Sequence, residues 1–485
     1  MEFSNTAYPG LANRVLAGGL AAAGAALAAS LFYTPLPLAL AIAIPASVFF
    51  LTRPYELLLV MVFLIPFNFV VPVGGVPVAA ELLKVALWVP FLLGVGRSGD
   101  HIRTSRYNKY FAVIGILIVA SFFRTHDLPF TVKEAVRLGS NIGLCYLVLN
   151  LVNTREQIMQ IFSVLMVSTL LVVCYGLYQF AIQDYGALFW IVNPRVDTAL
   201  AHGRDAFWEW RNRMISVLTS EMEMGHYFNL CIPIGVLLWL TEGKRRLRSQ
   251  WLWIAIMTLL GLVLTFTFGA WLTLAVTVAL FLLFLDKQVR WKILGIGCGL
   301  AALIASLLAF GPFREFMQDK ITGTGMNSLA WDAYTRLDVW WFAVQTWFSH
   351  PFIGVGIGNF EYLYTDHPHV VSEWTPAGSS PHQTYLYILV MYGAIGLVSI
   401  LAVLVGSIRA NLRLKENPEY SPIGLALAFA LTTTLICGFS DDSGFFGPHA
   451  SYLVWLLVGI SEVARRLAAR QPSGSLNQPI SLPNA

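Results

Sequence analysis

Apolar residues run along this chain in stretches of about twenty, broken by short polar connectors. A helix of that length crosses a hydrocarbon core of roughly 30 Å. The stretches are too long and too continuous for the alternating strands of a barrel. The pattern predicts helices near 12–32, 35–51, 55–72, 78–96, 109–123, 134–151, 157–181, 222–241, 251–267, 269–285, 292–311, 383–407, 421–439 and 449–464. In lipid every backbone polar group must be satisfied internally, which continuous helices achieve. The fold class read from the pattern is all-α, a polytopic integral membrane protein of about 12–14 transmembrane helices with a long helical outer loop.

Composition agrees. Of the 485 residues, 57% are hydrophobic and 12% charged, about half the charged share of a soluble domain. The net charge of +4 is carried by clusters in short connectors: "RSGDHIRTSRYNK" (97–109), "EGKRRLRSQ" (242–250), "DKQVRWK" (286–292), "RANLRLK" (409–415) and "RRLAAR" (465–470). That is the positive-inside arrangement and not a nucleic-acid patch. With the N-terminus inside, 20 Lys and Arg fall in cytoplasmic segments and 10 in outer ones. Lys84, within a helix, completes the 31.

The first apolar run reads as a retained helix and not as a removed signal. Residues 1–485 read as one transmembrane domain. All five cysteines (Cys145, Cys174, Cys231, Cys298, Cys437) lie inside predicted helices as small apolar fillers, with no disulfide framework. The tail 471–485, polar and containing proline, is expected to be disordered and cytoplasmic.

Two outer segments are long, 183–220 and 311–381, and both are rich in aromatic residues. In the second, Leu337, Trp340, Trp341, Val344 and Phe348 recur at helical spacing. They predict an amphipathic helix lying on the membrane surface.

Candidate chemistry gathers on the outer side. "GVGIGNF" (354–360) spaces its glycines as GxGxG and has no strand–helix unit around it, so it reads as a turn. "DHPH" (366–369) holds His367 and His369 without the companions of a metal site. Asp441 and Asp442 read as an ordinary solvated loop, with cation binding as the alternative. Glu81 and Lys84, one helical turn apart, read as a structural pair, with a transport path as the alternative. His382 opens an apolar helix behind "SSP". On its own it is either a histidine at a wet interface or a catalytic base.

His382-Gln383 is followed by nine residues, Gly393, two more residues and Gly396. This resembles the motif H-[NSQ]-x9-G-x-x-[GTY] of bacterial O-antigen ligases. "SHPFIGVGIGNFEYLY" (349–364) and "TRLDVWWFAVQTW" (335–347) resemble the segments that family places before its histidine. The similarity is clearest over 205–400 and extends to polysaccharide polymerases and protein O-oligosaccharyltransferases.

The resemblance implies a metal-independent, inverting glycosyltransferase of class C type, without a cofactor, in a bacterial inner membrane. Its active site would lie in the large outer loop on the periplasmic side. It would move a glycan from undecaprenyl diphosphate to a hydroxyl of another glycan or of lipid A-core, by ligation or polymerisation. Its partners would be these lipid-linked and glycan substrates and the bilayer, with no nucleic acid. His382 would be the general base, because a neutral imidazole titrates near working pH. Arg213 and Arg336 would hold the diphosphate with their planar, permanently charged forks. Arg211, Arg204 and Gln383 would give support. Many relatives carry "SRGA" in a middle helix; here the stretch is "FTFGAWL" (266–272), with Phe268 in the arginine's place. Either Arg213 and Arg336 suffice, or Arg204, Arg211 or Arg314 would substitute.

Two other classes stay open. A flippase of lipid-linked sugars would show internal repeats and broken helices. A non-catalytic member of a polysaccharide assembly complex would be indifferent to substitution of Arg213, Arg336 or His382.

Overall fold

The structure, a computed structural model, describes residues 53–67, 102–182, 214–218, 220–282, 329–366, 380–447 and 449–470, with isolated positions between them. The predicted helices at 12–32 and 35–51, and nearly all of 78–96 and 292–311, lie outside the described residues. So do Glu81, Lys84, Arg204, Arg211, Arg213, Cys298, His367, His369 and the tail 471–485.

The described elements are α1 (Pro54–Leu64), β1 (Pro72–Val73), β2 (Val76–Pro77), α2 (Asn108–Phe122), α3 (Leu128–Leu151), α4 (Arg155–Ile182), α5 (Glu221–Thr241), α6 (Arg245–Leu264) and α7 (Phe268–Leu282). They continue with α8 (Leu329–Ser349), α9 (Phe360–Thr365), α10 (Thr384–Arg413), α11 (Ser421–Cys437), α12 (Ser443–Phe446) and α13 (Ala450–Arg470). Apart from the two-residue antiparallel strands, with Pro72 opposite Pro77, the regular structure is helical. By length and composition α4, α5, α6 and the span Thr384–Glu416 can each cross a membrane, and α1, α2, α7 and α11 are shorter apolar helices. The protein is a multi-pass membrane protein of all-α class.

The helix limits follow from local chemistry. The Asp127 carboxylate accepts the Phe130 N–H at 3.0 Å, and Pro129 sits in the first turn. Both features favour a helix start, so α3 begins six residues before the apolar run suggests. Ser220 caps α5 by accepting the Glu223 N–H at 3.1 Å. The predicted helix 55–72 stops at Leu64. The glycine and proline of "VPVGGVP" (71–77) that follow suit a tight turn, and the strand pair forms there.

α5 packs on α6 and α11, α13 on α3, α10 on α11 and α2, and α8 on α10. Trp455, Tyr227, Phe162 and Phe228 are fully buried at the centre. Outward-facing Ile116, Trp253, Leu272 and Val398 stay exposed, as a lipid-facing surface requires. Cys145, Cys231 and Cys437 are buried fillers as expected; Cys174, on the outer face of α4, is exposed.

The bundle has two chemically different ends. At one, the Arg106 guanidinium pairs with Glu462 at 2.9 Å. Beside it Arg466 donates to the Leu149 and Val152 carbonyls at the end of α3. Basic groups suit a helix C-terminus. At the other end lie His382, Arg336 and the loop 438–442.

Candidate functional site

The motif helix is broken. Within α10, Gly393 has φ +66° and ψ −173°, outside the helical region. A Cβ there would lie 2.2 Å from the Phe352 carbonyl carbon and oxygen, so only glycine fits. The break frees carbonyls that the glycine-rich segment then uses. Val355 donates to the Val390 carbonyl at 2.8 Å and Gly356 to that of Met391 at 3.1 Å. In return Ala394 donates to the Pro351 carbonyl at 2.8 Å and Ile395 to that of Phe352 at 3.2 Å. Gly354, Gly356 and Gly358 all have positive φ, so "GVGIGNF" is a turn, as read from the sequence. It braces the kink in the motif helix.

His382 stands at the outer end of this helix with φ +48°. A non-glycine residue in that region is strained by roughly 1–2 kcal/mol. The neighbouring bonds hold it there. The Gln383 side chain accepts the Leu386 N–H at 2.5 Å and caps α10. The Thr384 N–H donates to the Gly438 carbonyl at 3.0 Å and its Oγ1 to the Asp441 carbonyl at 2.9 Å. The Trp340 indole donates to the Pro381 carbonyl at 2.7 Å. Gln383 therefore acts on the backbone of α10. The His382 ring is 46% exposed, open to a substrate.

Asp441 and Asp442 correct the sequence reading. They are not a solvated loop but buried, at 5% and 7% exposure. α10, α11 and α13 close around the turn that carries them. Asp442 Oδ1 lies 3.9 Å from His382 Nδ1. Burial and the neighbouring Asp441 push the Asp442 carboxyl up to about 6, against the pull of His382 and a hydrogen bond from Ser380. His382, Asp441 and Asp442 offer three polar atoms within 4.8 Å of one another, the number a divalent ion takes from such a set. Asp441 Oδ1 already accepts the Ser443 N–H at 2.7 Å. The trio is a carboxyl pair beside an imidazole.

Arg336 reaches the same loop from α8, donating from Nη1 to the Ser440 carbonyl at 2.7 Å. A Cβ on Gly269 would meet Ser440 Oγ at 3.0 Å, so the "FTFGAWL" stretch also borders this loop, and Phe268 packs on Trp271 at 5.2 Å between ring centroids. Arg336 thus meets the middle of the turn 438–442, and Thr384, two residues after His382, meets the same turn at Gly438 and Asp441. Arg213, Arg211 and Arg204 lie outside the described residues, although Met214 is fixed by a bond from its N–H to the Leu264 carbonyl at 2.9 Å.

The expected surface helix is present as α8, but it is apolar on two faces. Val339, Phe342 and Ala343 are buried, and Phe342 meets Phe360 and Tyr364. Of the predicted stripe, Leu337, Trp341 and Phe348 are more than half exposed. Glu361, on α9 in the segment that resembles the ligases, was not singled out by sequence. It accepts a hydrogen bond from the Tyr387 hydroxyl, its Oε2 is shut off from solvent without a partner, and burial pushes its carboxyl up to about 7, helped by Glu134 and Asp442.

A multi-pass helical membrane protein with an imidazole, an arginine and a buried carboxyl pair around one turn is the class that geometry defines. Residues 227–401 match the family model described as O-antigen ligase. That stretch contains Arg336, His382, Gly393 and Gly396; Asp441 and Asp442 lie beyond it. No curated protein matches the chain.

Proposed function

We propose that this protein transfers a glycan from undecaprenyl diphosphate to a sugar hydroxyl, as an O-antigen or exopolysaccharide ligase or polymerase. The observation that carries this reading is that Arg336 and Thr384, the latter two residues after His382 and all three inside the matched segment, are held on one turn, 438–442, that lies outside it. In this reading His382 takes the acceptor's proton as the hydroxyl attacks the anomeric carbon. The lipid diphosphate leaves with its electron pair. Arg336 stabilises the charge that grows on it, as a guanidinium fork does on phosphate oxygens. Arg213 supplies a second cation, with Arg211 and Arg204 in reserve. Attack by the acceptor itself inverts the anomeric centre, and guanidinium groups do the work that a metal ion does elsewhere. Asp442 steadies the imidazolium as it forms.

The basic connectors at the opposite end of the bundle support an inner-membrane protein whose site faces the periplasm. Incubation of the purified protein with an undecaprenyl-diphosphate oligosaccharide, with either lipid A-core or a second repeat unit as acceptor, tests the reading. Transfer to one acceptor names ligase or polymerase, and EDTA should leave the rate unchanged. Absence of transfer to both, with translocation of the lipid-linked sugar in proteoliposomes, overturns it in favour of a flippase.

A further inference from the structure

The polar groups behind His382 do not end at Asp442. Asp441 Oδ2 faces Nε2 of His226 at 4.0 Å. His226 sits on α5, 3% exposed, and neither of its ring nitrogens has a hydrogen-bond partner among the described residues. A small cavity of about 10 Å³ beside it is lined by His226, Asn229, Cys437 and Gly444. That is about the room one water needs, and Asn229 Oδ1 also lacks a partner. The titratable groups around His226 come from three further elements and its own. Asp441 and Asp442 belong to the turn and Cys437 to α11. Glu223, one turn earlier on α5, faces His449 Nδ1 at 3.1 Å before α13. The Glu223 carboxylate also accepts the His449 N–H at 2.7 Å, so its charge is spent on the start of α13.

A buried imidazole without a partner is a cost that leucine in the same helix would avoid. Here the ring is directed at the carboxyl pair that backs the base. We propose that His226 is a positioning residue, acting on His382 through Asp441 and Asp442 by holding that pair ionised. A donor at Nε2, direct or through one water in the cavity, favours negative charge on Asp441. With Asp441 Oδ2 so engaged, Asp442 faces His382 as a carboxylate able to steady the imidazolium. Without that donor the pair keeps a proton to higher pH, and His382 works beside a neutral acid.

This inference rests on His382 being the base. It is tested by the pH dependence of glycan transfer by the purified full chain, with an undecaprenyl-diphosphate oligosaccharide as donor. His226→Leu should lose about tenfold at pH 6.5 and recover most of it at pH 8.5, its acid limb moved up by about one pH unit. His226→Gln, which can still donate, should stay within about twofold of wild type throughout. A loss in the Leu variant that is equal at every pH, an equal loss in the Gln variant, or no loss at all overturns the proposal. If the Leu variant does not fold, His226→Met, which fills similar space without a donor, decides: its acid limb should move up by about one pH unit, and an unmoved limb overturns the proposal. His382→Ala separates the two readings: a fully active His382→Ala sinks the base assignment itself, whereas an inactive one with an unchanged His226→Leu profile sinks only the role of His226.

Discussion

Gly393 and Phe352 are in contact where a helix interior would ordinarily leave room for a side chain. A Cβ on the glycine would fall 2.2 Å from the Phe352 carbonyl. The motif glycine is therefore a backbone requirement of the fold, and the glycine-rich turn before it is the partner that imposes the requirement.

Gly393→Ala should destabilise the protein by about 3 kcal/mol, from the forced clash and the positive φ together. Thermal unfolding in detergent reads this directly. A melting temperature equal to that of wild type would mean the kink relaxes without loss.

Arg336→Lys keeps the charge but loses the planar fork, one arm of which is engaged on Ser440. Transfer should fall about tenfold in the lysine variant and a hundredfold or more in Arg336→Ala, by analogy with the loss of a single oxyanion donor. Equal rates for arginine and lysine would show that a point charge is enough.

Asp442 is pushed up to about 6, so its carboxylate form is lost as pH falls through about 6. Wild-type transfer should decline over that range. Asp442→Asn should be slower by about tenfold to a hundredfold at pH 7.5 and lose the share of the acid limb that Asp442 contributes. A wild-type rate in the Asn variant would remove Asp442 from the reaction.

Glu361 is raised to about 7 from a usual carboxyl value of about 4.3. A raised carboxyl stabilises the fold below its unfolded value and loses that contribution as pH rises through its folded value. The ion at pH 8 thus costs stability that Gln does not. Glu361→Gln keeps an acceptor for the Tyr387 hydroxyl and should stabilise the protein by about 2 kcal/mol at pH 8, with the gain vanishing near pH 5. Melting curves across pH in one detergent decide it, and a gain that is flat with pH would refute the titration.

The apolar runs made α4, α5, α11 and α13 legible to within a few residues, because hydrophobic length is what a bilayer selects. Helix starts were less legible where a cap and a proline set them, as Asp127 and Pro129 do for α3. Within the candidate site, His382 and Arg336 carried the resemblance in their own local strings. Asp442 was visible only as an acid after an apolar run; its burial comes from α10, α11 and α13, which meet across sequence distances that no local window spans. His226 lay hidden for the same reason, 215 residues before Asp441. Its trace in the sequence was a pair of polar residues, Glu223 and His226, in one apolar helix. The stripe on α8 was read correctly as apolar. Which apolar face would meet protein was decided by Phe360 and Tyr364.

The stretch from Thr384 to Tyr392 is a rod of nine residues, clamped at Gly393 and carrying His382 just before its other end. It works as a ruler about 13 Å long. One residue added to it or removed from it would swing the imidazole by about 100° around the axis, away from the carboxyl pair and toward lipid or open water. The fixed count between histidine and glycine is thus a statement about angle as much as distance.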